Sequence, residues 1–450
     1  MKKLLVALLA IIMALSCVSL SACGGESGGG NDDKVKLIVA VNGDATENRL
    51  MKKWKEAFET ENPNVTITIK PISDNYTQAL MGFESTPKTA PDVVWTTAEQ
   101  HVAWSERGFF INLKSKLESD SEVDLEDFYE SMLETTHKSS SDDGIYFVPR
   151  DYNKCVIIIN KVAFRNAGYT DEEINDLKND WNYDKFLATC ARLKANMDED
   201  QIIPLDANIA FDASYLSFLK QYGATFVEDN GKVNFLADNN IAAYKKIYEL
   251  IENGYMTSQA KKDTYSFLYQ KAAMKIDVRP NVPSIPNNDN FDIDFLPLPL
   301  DYVAAGCSGY AISNVAKTRV STSSLNEGNL SNEDYAYKFI KFIVSEKGQK
   351  LGAESGSIIP VLKHLAADSS WTTFKSANLN HAAFISNPEK DFNVNVYRDF
   401  RPDDAARILT NMAQVMTYVI NDNTYENGVF DTTKISGFQN AVKDYTVVGK

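Results

Sequence analysis

The segment that follows the N-terminal region alternates between apolar runs and an amphipathic stretch, and this order most constrains the fold. Residues 35–41 form an apolar run typical of a buried strand, and residues 46–61 carry apolar side chains at helical spacing. Residues 64–70 alternate apolar and polar side chains with the period of a strand. A strand, a helix and a strand in this order predict a βαβ unit and therefore a parallel sheet.

The alternation continues and then changes character. Residues 92–95 have the pattern of a buried strand, and the chain beyond residue 160 is richer in amphipathic helical stretches. These predicted helices cover residues 183–196, 213–223, 239–253 and 265–271. Strand patterns return at residues 272–278, 291–299 and 309–313, before predicted helices at 332–345 and 346–354. The sequence predicts an α/β first lobe, a second lobe of different texture, and a return of the chain to the first lobe.

The N-terminus has the layout of a secretory signal. Lys2 and Lys3 precede an apolar stretch, residues 4–15, that is too short to span a bilayer with the usual margin. The sequence "LSAC" that ends at Cys23 resembles the lipobox of bacterial lipoproteins, in which the cysteine carries the lipid. An ordinary signal peptide with a chance cysteine is the alternative. We expect residues 1–22 to be the signal peptide and the Gly-rich residues 23–34 to tether a folded body to the membrane through Cys23.

Length, charge and cysteine content limit the nature of that body. Residues 35–450 are more than a single core usually organises, which favours two lobes. Loss of two lysines with the signal changes the formal net charge from −15 to −17, and such an acidic surface disfavours nucleic acid as a partner. Cys155, Cys190 and Cys307 remain in the body, and an odd number in apolar surroundings indicates core residues, with a Cys155–Cys307 bridge as the alternative.

Enzymes are the first alternative class. The sequence has no carboxylate pair at a recognisable catalytic spacing, no nucleophile elbow, no zinc-protease motif and no phosphate loop. Its four histidines, at positions 101, 137, 364 and 381, are not clustered. We therefore expect a protein without catalytic activity, metal or cofactor.

Ten stretches in a fixed order resemble one family. They begin with "VNGDATENRLMKKWKEAFETENPNVTITI" and "PDVVWTTAEQ", continue through "YFVP", "INK" and "WNYDKFLATCARL", and end with "DIDFLPLP", "GCSGYAIS", "YAYKFIKFIVSEKGQK" and "GSIIPVL". In this order they resemble the extracellular solute-binding proteins of ABC importers, in the sugar-binding family that includes maltose-binding protein. The resemblance covers nearly the whole chain after the tether.

The resemblance implies an α/β, two-lobed periplasmic-binding-protein-like fold of type II, with ligand in the cleft between lobes joined by crossing strands. The first lobe is expected at residues 35–152 plus 303–355, and the second at 153–300 plus 360–450. The run "CVIII" is the expected first crossing, with further crossings near residues 298–306 and 355–361.

The polar residues before "CVIII" are the expected mouth of the cleft. Arg150, Asp151, Tyr152 and Asn153 supply the donors and acceptors that a ligand rich in hydroxyl groups needs. The alternative is that Arg150 and Asp151 pair with each other across a surface turn.

Loops that follow the predicted strands supply further candidates, because ligands bind beyond the carboxyl ends of parallel strands. The loop with Asn42, Asp44 and Glu47 resembles the family's sugar-binding loop, and helix capping is the alternative role for Asp44. Trp95 resembles the family's aromatic platform, with a core position as the alternative and with Thr96, Glu99 and Gln100 as weaker neighbours.

The remaining candidates lie near the second and third predicted crossings. The family places an aromatic residue close to the positions of Asp277 and Arg279, where this chain reads "DVRP", and an arginine there suits the carboxylate of an acidic sugar. Tyr302, Ser308 and Tyr310 surround the glycine-flanked return to the first lobe. Tyr215 and Trp371 are possible second platforms, with core or surface positions as the alternative.

The function that the resemblance implies is that of a substrate-binding lipoprotein of an ABC importer. We expect it to capture a carbohydrate, most simply an oligosaccharide, outside the cell and to deliver it to membrane permease subunits. It is expected to act as a monomer held at the membrane by its lipid anchor. The alternatives are the same fold binding a peptide, polyamine, iron complex or phosphorylated solute, and an adhesion or sensor protein that reuses the fold.

Overall fold

The computed structural model describes residues 34–72, 75–197, 202–286, 288–367, 379–421, 425–426 and 429–450. The expected signal peptide, the lipidation site Cys23 and Trp371 lie outside these described residues. No helix in the described part of the chain combines the length and the apolar character needed to cross a bilayer.

The strands and helices are numbered in chain order. The strands are β1 (Val35–Asn42), β2 (Val65–Ile72), β3 (Val93–Thr97), β4 (Val148–Pro149), β5 (Asn153–Lys154), β6 (Val156–Asn160), β7 (Ile203–Ala207), β8 (Ala272–Asp277), β9 (Ile293–Pro297), β10 (Val303–Gly306), β11 (Ser308–Ile312), β12 (Asp391–Asn393), β13 (Tyr425–Glu426) and β14 (Val429–Phe430). The helices are α1 (Ala45–Glu61), α2 (Tyr76–Ser85), α3 (His101–Glu106), α4 (Lys114–Glu118), α5 (Glu130–Glu134), α6 (Lys161–Asn166), α7 (Asp171–Asp176), α8 (Tyr183–Asn196), α9 (Asp212–Gln221), α10 (Asp238–Glu252), α11 (Asn314–Thr318), α12 (Asn332–Val344), α13 (Glu346–Glu354), α14 (Lys363–Ala366), α15 (Pro402–Val419) and α16 (Thr432–Val442).

The first sheet has five strands in the order β2-β1-β3-β11-β4. β1 pairs in parallel with β2 and β3, so the predicted βαβ unit is confirmed, and β11 pairs antiparallel with β3 and β4. α1 begins at its N-cap Asp44, whose side chain accepts hydrogen bonds from the backbone N–H groups of Thr46 and Glu47. Trp54 on α1 is fully buried and donates from its indole to the carbonyl of Gly348, which fixes α1 against α13.

The second sheet has four strands in the order β7-β8-β6-β9. β6 is one of its two inner strands and is antiparallel to both β8 and β9, and all five of its residues are buried. The buried apolar residues form two clusters. The first core includes Val39, Trp54 and Phe339, together with Val156 and Ile158 of β6. The second core includes Phe186, Leu216 and Met412, together with Ile157 and Ile159 of β6. The run "CVIII" is apolar throughout because both faces of its strand are covered.

A third sheet has three strands in the order β12-β10-β5, and the chain passes through it between strands of the first and second sheets. Its β5 precedes β6 directly, and its β10 leads into β11 of the first sheet. The segment 355–361, where the third crossing is expected, contributes Ile358, Ile359 and Val361 to the first core. The third strand that joins this sheet is β12, about 30 residues later.

Most predicted elements match the observed ones, with one clear error. The amphipathic stretch at residues 265–271 is not an α-helix but a single 3-10 turn, Phe267–Tyr269, that ends at Gln270 in the left-handed region with φ 60°. The prediction failed because the apolar residues Phe267 and Leu268 pack against the sheet from a turn, a position that periodicity alone does not distinguish from a helix. Cys155, Cys190 and Cys307 are buried free thiols, as the prediction of core cysteines requires.

We expect Gly309→Ala to destabilise the protein by about 1–3 kcal/mol or more, as overpacking of a filled interior does. A Cβ at Gly309 would lie 2.1 Å from the carbonyl oxygen of Val148, which is backbone on the neighbouring strand and cannot move aside. Gly82→Ala is the matched control, since a Cβ there meets nothing within 4 Å and α2 gains about 0.5–1 kcal/mol of helix propensity. Urea denaturation of both variants checks this expectation, and equal stabilities would contradict it.

Candidate functional site

A cluster of buried charges lies where the chain leaves the first sheet. Arg150, after β4, donates from Nη2 to Glu47 Oε2 at 2.8 Å and from Nε to Ser308 Oγ at 3.0 Å, and its Nη2 lies 3.6 Å from Asp151 Oδ2. The Asp151 Oδ1 atom accepts the backbone N–H of Ser308 at 2.9 Å, and the Tyr310 hydroxyl donates to Glu47. α1, the segment after β4, and β11 are therefore joined by one polar network.

Two opposing effects set the pKa values in this cluster: removal of each charge from water, and its interaction with the neighbouring opposite charges. Burial raises the pKa of the Glu47 and Asp151 carboxyl groups, and the Arg150 charge offsets only part of that effect. Burial also disfavours the charged guanidinium of Arg150, but the Glu47 and Asp151 carboxylates outweigh it and raise its pKa. The guanidinium is thus held in its charged form, and it is the cation that makes the burial of two carboxyl groups tolerable.

The polar run "PRDYN" does not face one way, which corrects the expectation that all four residues line the cleft. Tyr152 is fully buried against Tyr129, with 4.6 Å between ring centroids, and its hydroxyl donates to Asp391 on β12. Lys154 forms a buried ion pair with the same carboxylate at 2.9 Å. Of the predicted four, Arg150 lines the pocket that the loop after β1 opens, whereas the Oδ1 atom of Asn153 is buried and has no hydrogen-bond partner among the described residues.

The loop after β1 opens a pocket of about 510 Å³, here named the Asp44 pocket. Its lining residues are Asp44, Ala45, Thr46, Glu47, Arg49, Arg150, Pro280, Asn281, Pro283, Ser284 and Ser357. One side of the pocket is formed by the loop after β1 and the start of α1, and the other side by the 3-10 helix Arg279–Ser284 after β8. The structure therefore brings together the two loops whose residues the sequence predicted to bind ligand.

Asp44 caps α1, as the alternative interpretation stated. Its Oδ1 atom accepts both N–H groups of the first turn at 2.8 Å, and Asn42 accepts the Asp44 N–H at 3.2 Å. The Asp44 side chain is nevertheless exposed and lines the pocket. Capping and ligand contact are compatible, because a carboxylate has a second oxygen.

Asp277, the last residue of β8, and Arg279, two residues later, have different environments. Asp277 forms an ion pair with Lys275 at 2.7 Å and accepts from the side-chain amide of Asn281 at 2.7 Å, which orients Asn281 at the rim of the Asp44 pocket. Arg279 is fully buried, bonds His381 Nδ1 at 2.9 Å and packs over Phe384. A guanidinium in that position does not reach a ligand in the cleft, so the predicted contact with an acidic sugar is not supported.

The predicted aromatic residues are spread across the fold. Trp95 is half-buried and packs edge-on against Tyr76, and its indole N–H has no hydrogen-bond partner among the described residues. Tyr310 is fully buried and serves the charge cluster, whereas Tyr302 is 47 % exposed beside Lys220. Tyr215 is fully buried in the second core, so it is a core residue.

A second pocket, of about 610 Å³, is named here the Glu99 pocket. Its lining includes Tyr76, Thr97, Glu99, Gln100, Trp104 and Arg107 from the first sheet's side, and Asp212, Asn395, Tyr397, Arg398, Phe400 and Asp403 from the second core's side. Thr97 Oγ1 donates to Glu99 Oε2 at 2.7 Å. Burial, and then the nearby charge of Asp212, raise the pKa of Glu99 to about 7, and burial also raises the pKa of Asp212.

Sequence reasoning named Glu99 and Gln100 only as weaker neighbours and missed the opposite wall. Asp212 follows β7 and opens α9, so it carries the same signal that singled out Asp44 after β1. Tyr397 and Phe400 lie in an irregular segment between β12 and α15, where no local pattern indicates a site.

The chain matches a known family model over most of its length. Residues 42–350 match the model described as "Bacterial extracellular solute-binding protein", which is more than half of the 450 residues. The chain belongs to this family of bacterial extracellular solute-binding proteins. The chain matches no curated protein sequence.

Several solved structures have the same fold as this solute-binding protein. An ABC substrate-binding protein from Listeria monocytogenes in complex with cycloalternan has a TM-score of 0.67 and 16% identity, covering 91% of this chain and 98% of that chain. The sugar-binding protein MalE from Xanthomonas citri has a TM-score of 0.69 and 16% identity, covering 91% and 96%. UgpB from Mycobacterium tuberculosis in complex with glycerophosphocholine has a TM-score of 0.65 and 17% identity, covering 91% and 97%. These likenesses establish the two-lobed α/β fold of type II.

We expect Arg150→Met in this solute-binding protein to cost about 3–5 kcal/mol, because it leaves two buried carboxyl groups without their cation. Lys350→Met is the control, since it removes an exposed ion pair on α13 and costs less than about 1 kcal/mol. Adding Glu47→Gln to the first variant should restore part of the loss. Urea denaturation measures all three, and a loss no larger than that of the control would refute the role given to Arg150.

The raised pKa of Glu99 predicts a pH dependence of stability. Between its ordinary value of 4.5 and about 7 the folded protein holds a proton that the unfolded chain releases, so this group's contribution to the free energy of unfolding falls as pH rises through that window. Glu99→Gln should flatten the dependence and gain stability relative to the parent at pH 8 but not at pH 5. The exposed Glu56→Gln on α1 is the control. Parallel curves for parent and Glu99→Gln would show that this carboxyl group does not titrate in the window.

Proposed function

We propose that this protein is the substrate-binding lipoprotein of an ABC importer and that it captures a carbohydrate outside the cell for delivery to membrane permease subunits. The observation that carries the proposal is that both pockets are lined from two sides. The Asp44 pocket lies between the loop after β1 and the 3-10 helix that follows β8 of the second sheet, and the Glu99 pocket lies between the loop after β3 and segments of the second core. A ligand in either pocket contacts both bodies at once. Relatives of the same fold are described in complex with cycloalternan and with acarbose, which supports a carbohydrate.

We propose lobes that follow the two large sheets. The first lobe comprises residues 35–152 and 307–366, the second comprises 155–300 and 379–450, and the three-stranded sheet of β5, β10 and β12 joins them. This places the third crossing later than the sequence indicated, because β12 is the strand that pairs with β10. The short strands of this sheet are the proposed axis about which the lobes close on ligand.

Attachment to the membrane through Cys23 is part of the proposal. The lipobox-like "LSAC" and the Gly-rich segment after it support a lipid anchor with a flexible tether. Mass spectrometry of the protein purified from membranes tests the anchor: a diacylglyceryl group on Cys23 is expected, and a chain that begins elsewhere without lipid would refute it.

A second candidate ligand class is a small phosphorylated solute. UgpB, with the same fold and similar coverage, is described in complex with glycerophosphocholine. The Nη1 atom of Arg150 is buried and has no hydrogen-bond partner among the described residues. The Asp44 pocket nevertheless disfavours an anion, since the carboxyl groups of Asp44 and Glu47 belong to its lining and Nη2 of Arg150 is already paired with Glu47 and Asp151. A carbohydrate is therefore the first choice.

The proposed ligand class can be tested by thermal unfolding of the full-length chain in mild detergent. The panel is maltose, maltotriose, cellobiose, glucosamine, glycerophosphocholine, spermidine and a tripeptide. A ligand at about 1,000 times its dissociation constant adds roughly 4 kcal/mol of apparent stability, which is visible as a shift of the melting temperature. A shift with saccharides supports the proposal, and a shift only with the non-sugar ligands would overturn it.

Asp44→Asn should weaken the binding of the responding saccharide by about 1.5–3 kcal/mol, the range for a hydrogen bond to a charged group. Asparagine caps helices as well as aspartate does, so α1 keeps its N-terminus and only the charge is removed. Asp171→Asn, at the exposed start of α7, is the control. Isothermal titration calorimetry provides the measurement, and unchanged affinity would remove Asp44 from the site.

A further inference from the structure

The Glu99 pocket has an unusual balance of charge. Glu99 comes from the loop after β3, and Asp212 comes from the start of α9, so the two carboxyl groups reach one pocket from opposite bodies. Each is half-buried, and among the described residues no lysine or arginine forms an ion pair with either of them. Two neighbouring carboxyl groups are thus removed from water without a cation of their own.

The arginines on the pocket wall do not supply the missing charge. Arg107 bonds Glu84 through both Nε and Nη2, and Arg398 bonds the side chain and the carbonyl of Glu134. Neither Glu84 nor Glu134 belongs to the pocket lining, so each arginine is paired with a carboxylate outside the pocket rather than with Glu99 or Asp212. Asp403 adds a third, exposed carboxylate to the same wall.

A residue of the pocket lining carries a buried hydroxyl group without a partner. Tyr397 is 2 % exposed, and neither its hydroxyl nor that of its neighbour Tyr215 in the second core has a hydrogen-bond partner among the described residues. A buried polar group without a partner costs free energy that a bound molecule can offset. The pocket therefore combines an unsatisfied hydroxyl with unpaired carboxyl groups.

The other walls suit a sugar ring. The aromatic residues Tyr76, Trp104 and Phe400 line the pocket beside Tyr397, and aromatic faces accept both the apolar face of a ring and a nearby cation. Gln100 and Asn395 bring amide groups, which donate to and accept from hydroxyl groups. The volume of about 610 Å³ is that of a small-molecule site.

We infer that the Glu99 pocket binds the protonated amine of an amino sugar, with Glu99 and Asp212 as the two carboxylates that receive the ammonium group. The inference rests on the proposed function, since it names the class of carbohydrate that the cleft takes. A linear polyamine satisfies the two carboxylates but offers no hydroxyl group to the amide of Gln100 or to the side-chain oxygen of Asn395, whose amide nitrogen already donates to the carbonyl of Ala98. An amino sugar uses both sets of groups.

Three disaccharides with the same linkage and different groups at C2 test the inference. Fully deacetylated chitobiose carries amines, N,N′-diacetylchitobiose carries neutral acetamides, and cellobiose carries hydroxyls. Glucosamine and glucose form a second pair that does not depend on the linkage. Calorimetric titration of the full-length chain at pH 7.5 should give the amine forms an affinity about tenfold or more above that of their neutral counterparts, because charge-assisted hydrogen bonds in a partly dry site are strong.

Glu99→Gln and Asp212→Asn each keep the shape of the side chain and remove its charge. Each should reduce the affinity for the amine forms by about tenfold more than it reduces the affinity for the neutral forms, so that the preference for the amine is lost. Asp404→Asn is the control, since Asp404 lies in the first turn of α15 beside Asp403 but outside the pocket lining. Circular dichroism of every variant verifies that it is folded.

The outcomes separate this inference from the proposed function. Saccharide binding without preference for the amine, or a preference that survives in both variants, overturns the inference and leaves the importer proposal in place. Binding of spermidine without binding of any saccharide overturns both the choice of carbohydrate and the amino-sugar assignment. A preference for the amine that both variants abolish supports the inference.

Discussion

The buried guanidinium of Arg150 is the contact on which the arrangement of the site depends. It lies among two carboxyl groups and a hydroxyl group that come from α1, from its own segment and from β11. None of these charges is tolerable in the interior alone, because burial of an unpaired ion costs several kcal/mol. The three segments therefore have to reach the same place together, and their meeting fixes the loop that carries Asp44 relative to the strand that returns from the second body.

The three-stranded sheet that links the bodies is held by a second buried pair. Asp391 on β12 receives the hydroxyl of Tyr152 and the ammonium of Lys154, so the last crossing is bonded to the first one. The strands themselves contribute few hydrogen bonds, since β5 has two residues and β12 has three. We propose that such a link, short in backbone pairing but fixed by one ion pair, permits the rotation of the bodies that closure about a ligand requires.

Sequence reasoning predicted local structure well and the direction of side chains poorly. The strands and helices of residues 35–107 follow from periodicity, and the N-cap of α1 follows from Asp44. The burial of Arg279 against His381 depends on a segment about 100 residues away, so no local pattern indicates it. The same holds for Tyr152, whose partner Asp391 comes from a distant strand. Residues that lie at the right place in a motif can still point to the wrong side of the chain, and only long-range packing decides this.

The Arg150 cluster differs from the pair of Glu99 and Asp212 in a way that bears on how ligand binding is coupled to the proposed closure. The Arg150 cluster has its own cation, which pairs with Glu47 and Asp151 through Nη2, so it stabilises one fixed arrangement even though the buried Nη1 atom has no hydrogen-bond partner among the described residues. Among the described residues no cation pairs with Glu99 or Asp212, and the two come from opposite bodies, so bringing them together costs free energy through mutual repulsion and loss of water. In the proposed closure this cost would belong to the closed form, because separation of the bodies would return both carboxyl groups to solvent. The proposed amino sugar would remove the cost only where both groups can reach its ammonium group, and it would therefore shift the population toward the closed form.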